Sequence, residues 1–222
     1  MSPIWPVAKK FFITGGRASG ETKKGTMQEA LIDAKIHGCN LIPVSSVLDP
    51  DAIQLSEPPV IPHSALTYCV MAEGEGAEGH SIAAGIGWCY MRNKDGTIHK
   101  AYVVEDHGAK EERAVKEVLL YSLVQMAEAE KLQIYSKEKP DEVLLNRKEW
   151  HQEKLKEGKH FDGWRSPEKD YLKYLEENSA KYFKNEIRGY DKVPEDYGYC
   201  VAALVFVFEE KNGIAKPVAC KP

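Results

Sequence analysis

The sequence has no apolar run long enough to cross a bilayer and no large excess of charge of either sign. Its least polar stretch, 197–208, is much shorter than the roughly 20 residues that a transmembrane helix needs. The net charge of −4 argues against a nucleic-acid partner, because such partners favour basic surfaces. The opening residues 1–6 lack the basic start and apolar core of a signal peptide. We therefore expect a cytoplasmic protein with no membrane or nucleic-acid partner.

Motifs for disulfides, metals and phosphates are also missing. The cysteines are few, odd in number and without a C-x-x-C pair, which predicts free thiols in a reducing compartment: Cys39, Cys69, Cys89, Cys200 and Cys220. The histidines show no zinc-ligand spacing to cysteine or carboxylate: His63, His80, His99, His107, His151 and His160. The glycine-rich segment 15–20 lacks the ending of a phosphate loop. No metal site is expected.

The chain does contain strand-like apolar segments that alternate with two amphipathic helices. The predicted strands are 10–14, 41–44, 65–71, 81–90, 101–105 and 197–208, and the predicted helices are 28–36 and 110–131. Glycine-rich segments at 15–20 and 73–79 are predicted as loops. This order predicts an α/β protein with helices layered over a largely antiparallel or mixed sheet.

A charged region, residues 136–195, precedes the last strand. It is rich in Lys, Glu, Trp and Tyr, and prolines and glycines interrupt it. We predict exposed helices here, including one over 167–184, with a peripheral or subunit-contact role. The whole chain, 1–222, is predicted to be one domain that contains this helical insert.

Two adjacent serines, Ser45 and Ser46, follow the strand-like segment 41–44 and precede a turn at 49–51. One interpretation is an ordinary entry into a turn. The other is chemical, because the Ser46 hydroxyl can add to the Ser45 carbonyl and convert the amide to an ester. β-Elimination then releases a chain that ends at Ser45 and leaves a pyruvoyl group, an electron sink for reactions of amines.

The motifs around these serines resemble, in order and spacing, the pyruvoyl-dependent arginine decarboxylases of archaea and some bacteria, including chlamydial relatives. The resemblance runs from about residue 10 to 132 and resumes at 197–208. The segments that carry it are 11–22, 28–36, 40–46, 81–87, 102–105 and 197–204.

The resemblance implies a fold, a cofactor and an activity. The fold is a four-layer αββα sandwich, assembled as a trimer or a multiple of trimers with active sites between subunits. The cofactor is a pyruvoyl group made from Ser46 by cleavage into chains 1–45 and 46–222, with no metal and no pyridoxal phosphate. The implied reaction converts a small-molecule substrate, an amino acid and most directly arginine, to its amine (agmatine) and carbon dioxide.

Two further residues match catalytic positions of the family. Asn40 matches a residue that assists self-cleavage, where its amide would donate to the oxyanion that develops at the Ser45 carbonyl. Its alternative role is to end the turn after Gly38. Glu105 matches the acid that protonates the substrate carbon, and burial would raise its pKa for that purpose. Its alternative is an exposed strand-end carboxylate or a helix cap.

The substrate positions depart from the arginine pattern. Gln28 stands where the resemblance implies an Asp that pairs with guanidinium, and an amide is a weaker partner than a carboxylate. Lys24 and His37 would favour an acidic substrate if they enter the pocket. The other positions assigned to the pocket are Leu31, Cys39 and Val47. Two alternatives therefore stay open: the same chemistry on aspartate or a neutral amino acid, and a non-cleaving homologue that acts as a scaffold or binding protein.

Overall fold

The computed structural model describes residues 7–97, 99–157 and 166–208. The predicted positions Cys220, His160 and residues 1–6 lie outside them. The elements, in chain order, are β1 Lys10–Gly20, α1 Lys23–Asp33, β2 Asn40–Pro43, β3 Val47–Leu48, β4 Ile53–Gln54, β5 Leu66–Ala77, β6 Ile82–Arg92, β7 His99–Gly108, α2 Glu112–Ala129, β8 Gln133–Tyr135, α3 Arg147–Lys156, α4 Ser166–Tyr182, β9 Phe183–Tyr190 and β10 Tyr197–Val207.

The strands form two sheets that pack face to face between helices. Sheet A has the order β2-β5-β10-β1-β4, and sheet B has the order β3-β7-β6, with β8 and β9 both pairing along the other side of β6. One apolar core lies between the sheets, a second lies between sheet A and α1, and a third lies between sheet B and α2. The predicted four-layer αββα sandwich is confirmed.

The alternation of side chains along the central strands explains this layering. On β10, Cys200, Ala202 and Leu204 enter the core between the sheets, while Val201, Ala203 and Val205 enter the core under α1. Successive strand residues point to opposite faces, so a strand that is covered on both faces must be apolar throughout. This is why the last strand is the least polar stretch of the sequence.

The two glycine-rich segments predicted as loops are strands, and this correction has a packing reason. β1 continues to Gly20 and β5 continues to Ala77. A Cβ atom on Gly16 would lie 2.2 Å from the carbonyl oxygen of Ala30 in α1, and one on Gly74 would lie 2.8 Å from the carbonyl oxygen of Ala83 in β6. These glycines allow the layers to approach each other closely.

The insert is also different from the prediction of exposed helices. It contains α3 and α4, with α4 close to the predicted 167–184, but it also contributes β9, which pairs antiparallel with β6. Trp150, Tyr171 and Leu175 of the insert are buried in the core against α2. The insert therefore completes sheet B and the outer core.

None of the described helices has the length and apolar character that crossing a membrane requires.

Candidate functional site

The Ser45–Ser46 peptide bond lies where the chain crosses from sheet A to sheet B. Just before it, the Val44 N–H donates to the carbonyl of Cys69 on β5, at 3.0 Å. Just after it, the Ser46 carbonyl accepts from the N–H of Val103 on β7, also at 3.0 Å. Because β2 and β3 are the edge strands of their sheets, this bond joins two edges and is held by backbone hydrogen bonds on both sides.

A tight turn is centred on Ser46. The N–H of Val47 donates to the carbonyl oxygen of Ser45 at 2.9 Å, which closes a three-residue turn. The Ser45 carbonyl is the group that self-cleavage would attack, so the hydrogen bond polarises the reacting carbonyl. Val47, which was predicted as a substrate contact, therefore also contacts the Ser45 carbonyl through its backbone N–H.

Glu105 lies beside Ser46. The Ser46 hydroxyl donates to Oε2 of Glu105 at 3.4 Å, a long contact between residues 59 positions apart in the chain. The Glu105 side chain is exposed, so the burial expected for a catalytic acid is not provided by a single chain. The neighbouring Asp106 is held in an ion pair with Lys110 at 2.6 Å. Glu105 is thus the carboxylate available to Ser46 at this strand end.

Asn40 does not reach the serines of its own chain. Its side-chain amide donates to the carbonyl of Ser64 at 3.0 Å, and its residue begins β2, opposite Leu66 of β5. β2 ends at Pro43, about 10 Å further along at the rise of a strand, and Ser45 follows beyond that end. Within one chain, Asn40 therefore does the structural job that was its alternative interpretation.

The predicted substrate residues on and after α1 are also apart from Ser46. Lys24, Gln28 and His37 are exposed, and Leu31 is half-buried against the core under sheet A. The half-buried Cys39 donates its thiol to the carbonyl of Ile36. α1 covers the outer face of sheet A, whereas Ser46 and Glu105 lie at sheet B. Within one chain, the predicted site residues therefore form two separate groups, one on and after α1 and one around Ser46.

An open groove of about 710 Å³ adjoins the cleavage pair. Its wall includes Ser45 and Val47 together with aromatic side chains that the sequence analysis missed, namely Tyr68, Phe206 and Phe208. The rings of Tyr68 and Phe208 meet edge to face, 5.6 Å apart. The sequence contained only a weak signal for these groove residues, because an aromatic residue on a strand usually indicates a core position. Val47 is 56% exposed and Tyr68 is 37% exposed.

The turn after Ser46 is held by two lysines. The Nζ atom of Lys9 lies 2.5 Å from Asp49, and this partner holds the pKa of the Asp49 carboxyl below its ordinary value. Lys137, the second residue after β8, donates to the carbonyl of Pro50 at 3.0 Å and lies 4.5 Å above the ring of Tyr90. The insert therefore contacts the segment that begins at Ser46.

Comparison with known proteins agrees with this geometry. The profile of the pyruvoyl-dependent arginine decarboxylases matches residues 10–211. This chain belongs to the pyruvoyl-dependent arginine decarboxylase family. The resemblance seen in the sequence is thereby confirmed, and the matched range includes the serine pair, Glu105 and the insert.

Individual relatives of the family match over shorter ranges. Pyruvoyl-dependent arginine decarboxylase 2 of Methanosarcina acetivorans is 29% identical over 113 residues, which cover 49% of this chain and 60% of the relative. The protein of the same name in Methanosarcina mazei is 28% identical over 113 residues, which again cover 49% of this chain and 60% of the relative. Pyruvoyl-dependent arginine decarboxylase of Methanopyrus kandleri is 34% identical over 70 residues, or 32% of this chain and 46% of the relative. The chain therefore spans between 46% and 60% of the length of these relatives.

The pyruvoyl-dependent arginine decarboxylase family implies a covalent pyruvoyl group, and the residues at Ser46 fit its formation. The serine hydroxyl contacts a carboxylate that can take its proton, and the preceding carbonyl is polarised by the N–H of Val47. Ser45 and Val47, the residues on either side of Ser46, line a groove large enough for an amino acid. Among the described residues, no cluster of three or more His, Cys, Asp or Glu side chains is arranged to hold a metal ion.

Proposed function

We propose that this chain is a cytoplasmic, pyruvoyl-dependent carboxy-lyase that cleaves itself between Ser45 and Ser46 and then decarboxylates arginine to agmatine. The observation that carries the proposal is the contact between the Ser46 hydroxyl and Glu105 in a chain of this family. The fragments 1–45 and 46–222 would stay assembled, because β1 of the first pairs with β4 and β10 of the second.

Glu105 has two roles in this proposal. Before cleavage it accepts the proton of the Ser46 hydroxyl, which makes the oxygen a nucleophile. After cleavage it holds a proton at the same place and delivers it to the substrate carbon that loses carbon dioxide. The pyruvoyl group supplies the electron sink for that loss. The groove lined by Ser45 and Val47 would hold the substrate beside Ser46, the residue that contacts Glu105, and this orientation would account for part of the rate.

The proposed active unit is a homo-oligomer, with a trimer as the smallest form. A neighbouring copy is needed because Asn40 and the exposed residues of α1 are separated from Ser46 within one chain. Large apolar side chains that line the groove support a covering partner, since Val47 is 56% exposed and Phe208 is 42% exposed. Such a partner would also bury Glu105, as a catalytic acid requires.

One observation favours a different amino acid as the substrate. Lys24 and Gln28 are exposed one turn apart on α1, so they share a face of the helix. If this face meets the substrate of a neighbouring copy, it offers a cation and an amide to the substrate side chain. That combination suits an acidic or neutral side chain better than guanidinium. Carbon dioxide release, measured with arginine, aspartate and neutral amino acids, decides between these substrates.

The test of self-cleavage is the intact mass of freshly purified protein. We expect two fragments divided at Ser45/Ser46, with a ketone on the larger one that reacts with a carbonyl reagent. Ser46→Ala should remain a single chain with the same fold and no decarboxylase activity. A wild-type chain that stays whole after purification would contradict the proposal and favour a scaffold or binding role.

A further inference from the structure

The carbonyl of Ser45 needs a hydrogen-bond donor if its oxygen is to become an oxyanion during self-cleavage. Asn40 was the expected donor, but its amide is directed to the carbonyl of Ser64 in the same chain. The hydrogen bond that the structure gives to the Ser45 oxygen comes instead from the backbone N–H of Val47, at 2.9 Å. The donor therefore lies one residue beyond the nucleophile, in the same tight turn.

We infer that the backbone N–H of Val47 is the oxyanion donor for self-cleavage, an inference that rests on the function proposed above. The donor touches the reacting carbonyl, so its role is catalytic. Its position does not depend on the Val47 side chain or on a second copy of the chain. It needs only the turn at Ser46 to be present in the uncleaved protein.

The surrounding backbone holds this donor in place before the reaction. Ser46 is fixed through its carbonyl to Val103, and Val47 lies opposite Tyr102 in the pairing of β3 with β7. Leu48, the next residue, is buried in the core between the sheets. A donor that is fixed in advance stabilises developing charge without the cost of reorientation.

The proposed step balances as follows. The Ser46 oxygen forms a bond to the Ser45 carbonyl carbon while its proton passes to Glu105, and the negative charge on the Ser45 oxygen is held by the Val47 N–H. Collapse breaks the carbon–nitrogen bond while the nitrogen takes the proton from Glu105, which gives the ester. Elimination passes the α-proton of Ser46 to water and releases the Ser45 carboxylate. Addition of one water and loss of ammonia then leave the ketone.

The test replaces the amide bond between Ser46 and Val47 by an ester, in which an oxygen atom stands in place of the Val47 N–H. An α-hydroxy acid with the valine side chain is introduced at position 47 during cell-free synthesis, which removes the donor and keeps the side chain. The matched control carries the alanine analogue at position 52, where the Ala52 N–H donates to the carbonyl of Asp49 at 3.0 Å. This control loses a backbone hydrogen bond of similar length in the same segment. The appearance of fragment 1–45 is followed by mass spectrometry.

We expect the substitution at position 47 to slow cleavage by about 10²–10³-fold, the usual effect of losing one oxyanion donor. The control should cleave within a few-fold of the all-amide chain. The same two substitutions in the Ser46→Ala background should give equal circular dichroism and similar melting temperatures, which excludes misfolding as the cause. Cleavage at the wild-type rate without the Val47 N–H would overturn the inference and leave the proposed function intact. An all-amide chain that never cleaves would overturn both.

Discussion

The Nζ atom of Lys137 lies 3.0 Å from the carbonyl oxygen of Pro50, so the insert is attached to the turn that follows the cleavage pair. The same Nζ atom lies above the ring of Tyr90 on β6. This arrangement connects the start of the insert, sheet B and the segment after Ser46. It suggests that the insert supports the geometry of cleavage through Lys137 as a positioning residue.

Lys137→Met should slow self-cleavage several-fold and lower the free energy of unfolding by about 1 kcal/mol, because an exposed charged hydrogen bond and a cation–π contact are lost. Lys137→Arg should restore the cleavage rate. Lys139→Met is the control, since Lys139 pairs with Glu142 away from the turn. Fragment formation and urea unfolding in the Ser46→Ala background are the measurements. Equal cleavage rates for Lys137→Met and Lys139→Met would show that Lys137 is not a positioning residue.

Glu105→Gln should slow cleavage at Ser45/Ser46 by about 10²–10⁴-fold, because the amide cannot take the proton of the Ser46 hydroxyl. Protein that does cleave should also decarboxylate slowly, since the proton donor is missing. Asp106→Asn, which breaks only the ion pair with Lys110, should cleave nearly normally. Time courses of both steps separate the two roles. Rapid cleavage by Glu105→Gln would restrict the residue to decarboxylation.

The ion pair between Lys9 and Asp49 would join the two predicted fragments, and it gives stability a pH dependence. Lys9 lowers the pKa of Asp49 below the ordinary 3.8, so the folded state binds this proton less readily than the unfolded chain. The contribution is therefore present above about pH 4 and is lost as the pH falls through the folded pKa. Between pH 6 and about pH 3, the wild-type sequence should lose more stability than Asp49→Asn, both compared in the Ser46→Ala background. Parallel losses in urea unfolding would show that the pair contributes nothing.

The cysteines should differ sharply in reactivity. Burial raises the pKa of Cys69 to about 11 and that of Cys200 to about 12, whereas Cys39 is half-buried near the surface. At pH 8 an alkylating reagent should therefore modify Cys39 well before Cys69 and Cys200, as read by peptide mass spectrometry. Unfolding in urea should abolish the difference. Early labelling of Cys200 in the folded protein would contradict the packing described for β10.

These raised pKa values also predict lower stability in alkali. The unfolded chain releases the thiol protons near the ordinary pKa of 9.0, before the folded chain does. Stability should fall as the pH rises from about 9 towards 11, because the unfolded state then binds fewer protons. Cys69→Ala should weaken this dependence, measured by urea unfolding across that range. An unchanged slope would assign the alkaline effect to other groups.

The predictions that the structure contradicts concern features that depend on long-range packing. Glycine-rich segments look alike in the sequence whether they form a strand or a loop. Only the close approach of Ala30 to Gly16 explains why a strand contains glycine here. The strand Phe183–Tyr190 was missed because it is mostly polar and its pairing with β6 is a long-range contact. Buried Trp150 in a charged helix is a similar case, since its partners come from other elements.

The sequence by itself determined the alternation of strands and helices and the position of the serine pair, because apolar periodicity and adjacent hydroxyls are local features of the chain. The order and spacing of its motifs gave the resemblance to the family, and with it the expected four-layer sandwich. Only the tertiary structure decided which groups meet at the reacting bond. Asn40 turned out to be paired with Ser64, and Glu105 came to Ser46 from a strand far along the chain. Hydrogen-bond partners of this kind depend on which strand lies alongside, and strand pairing is set by the packing of the whole sandwich.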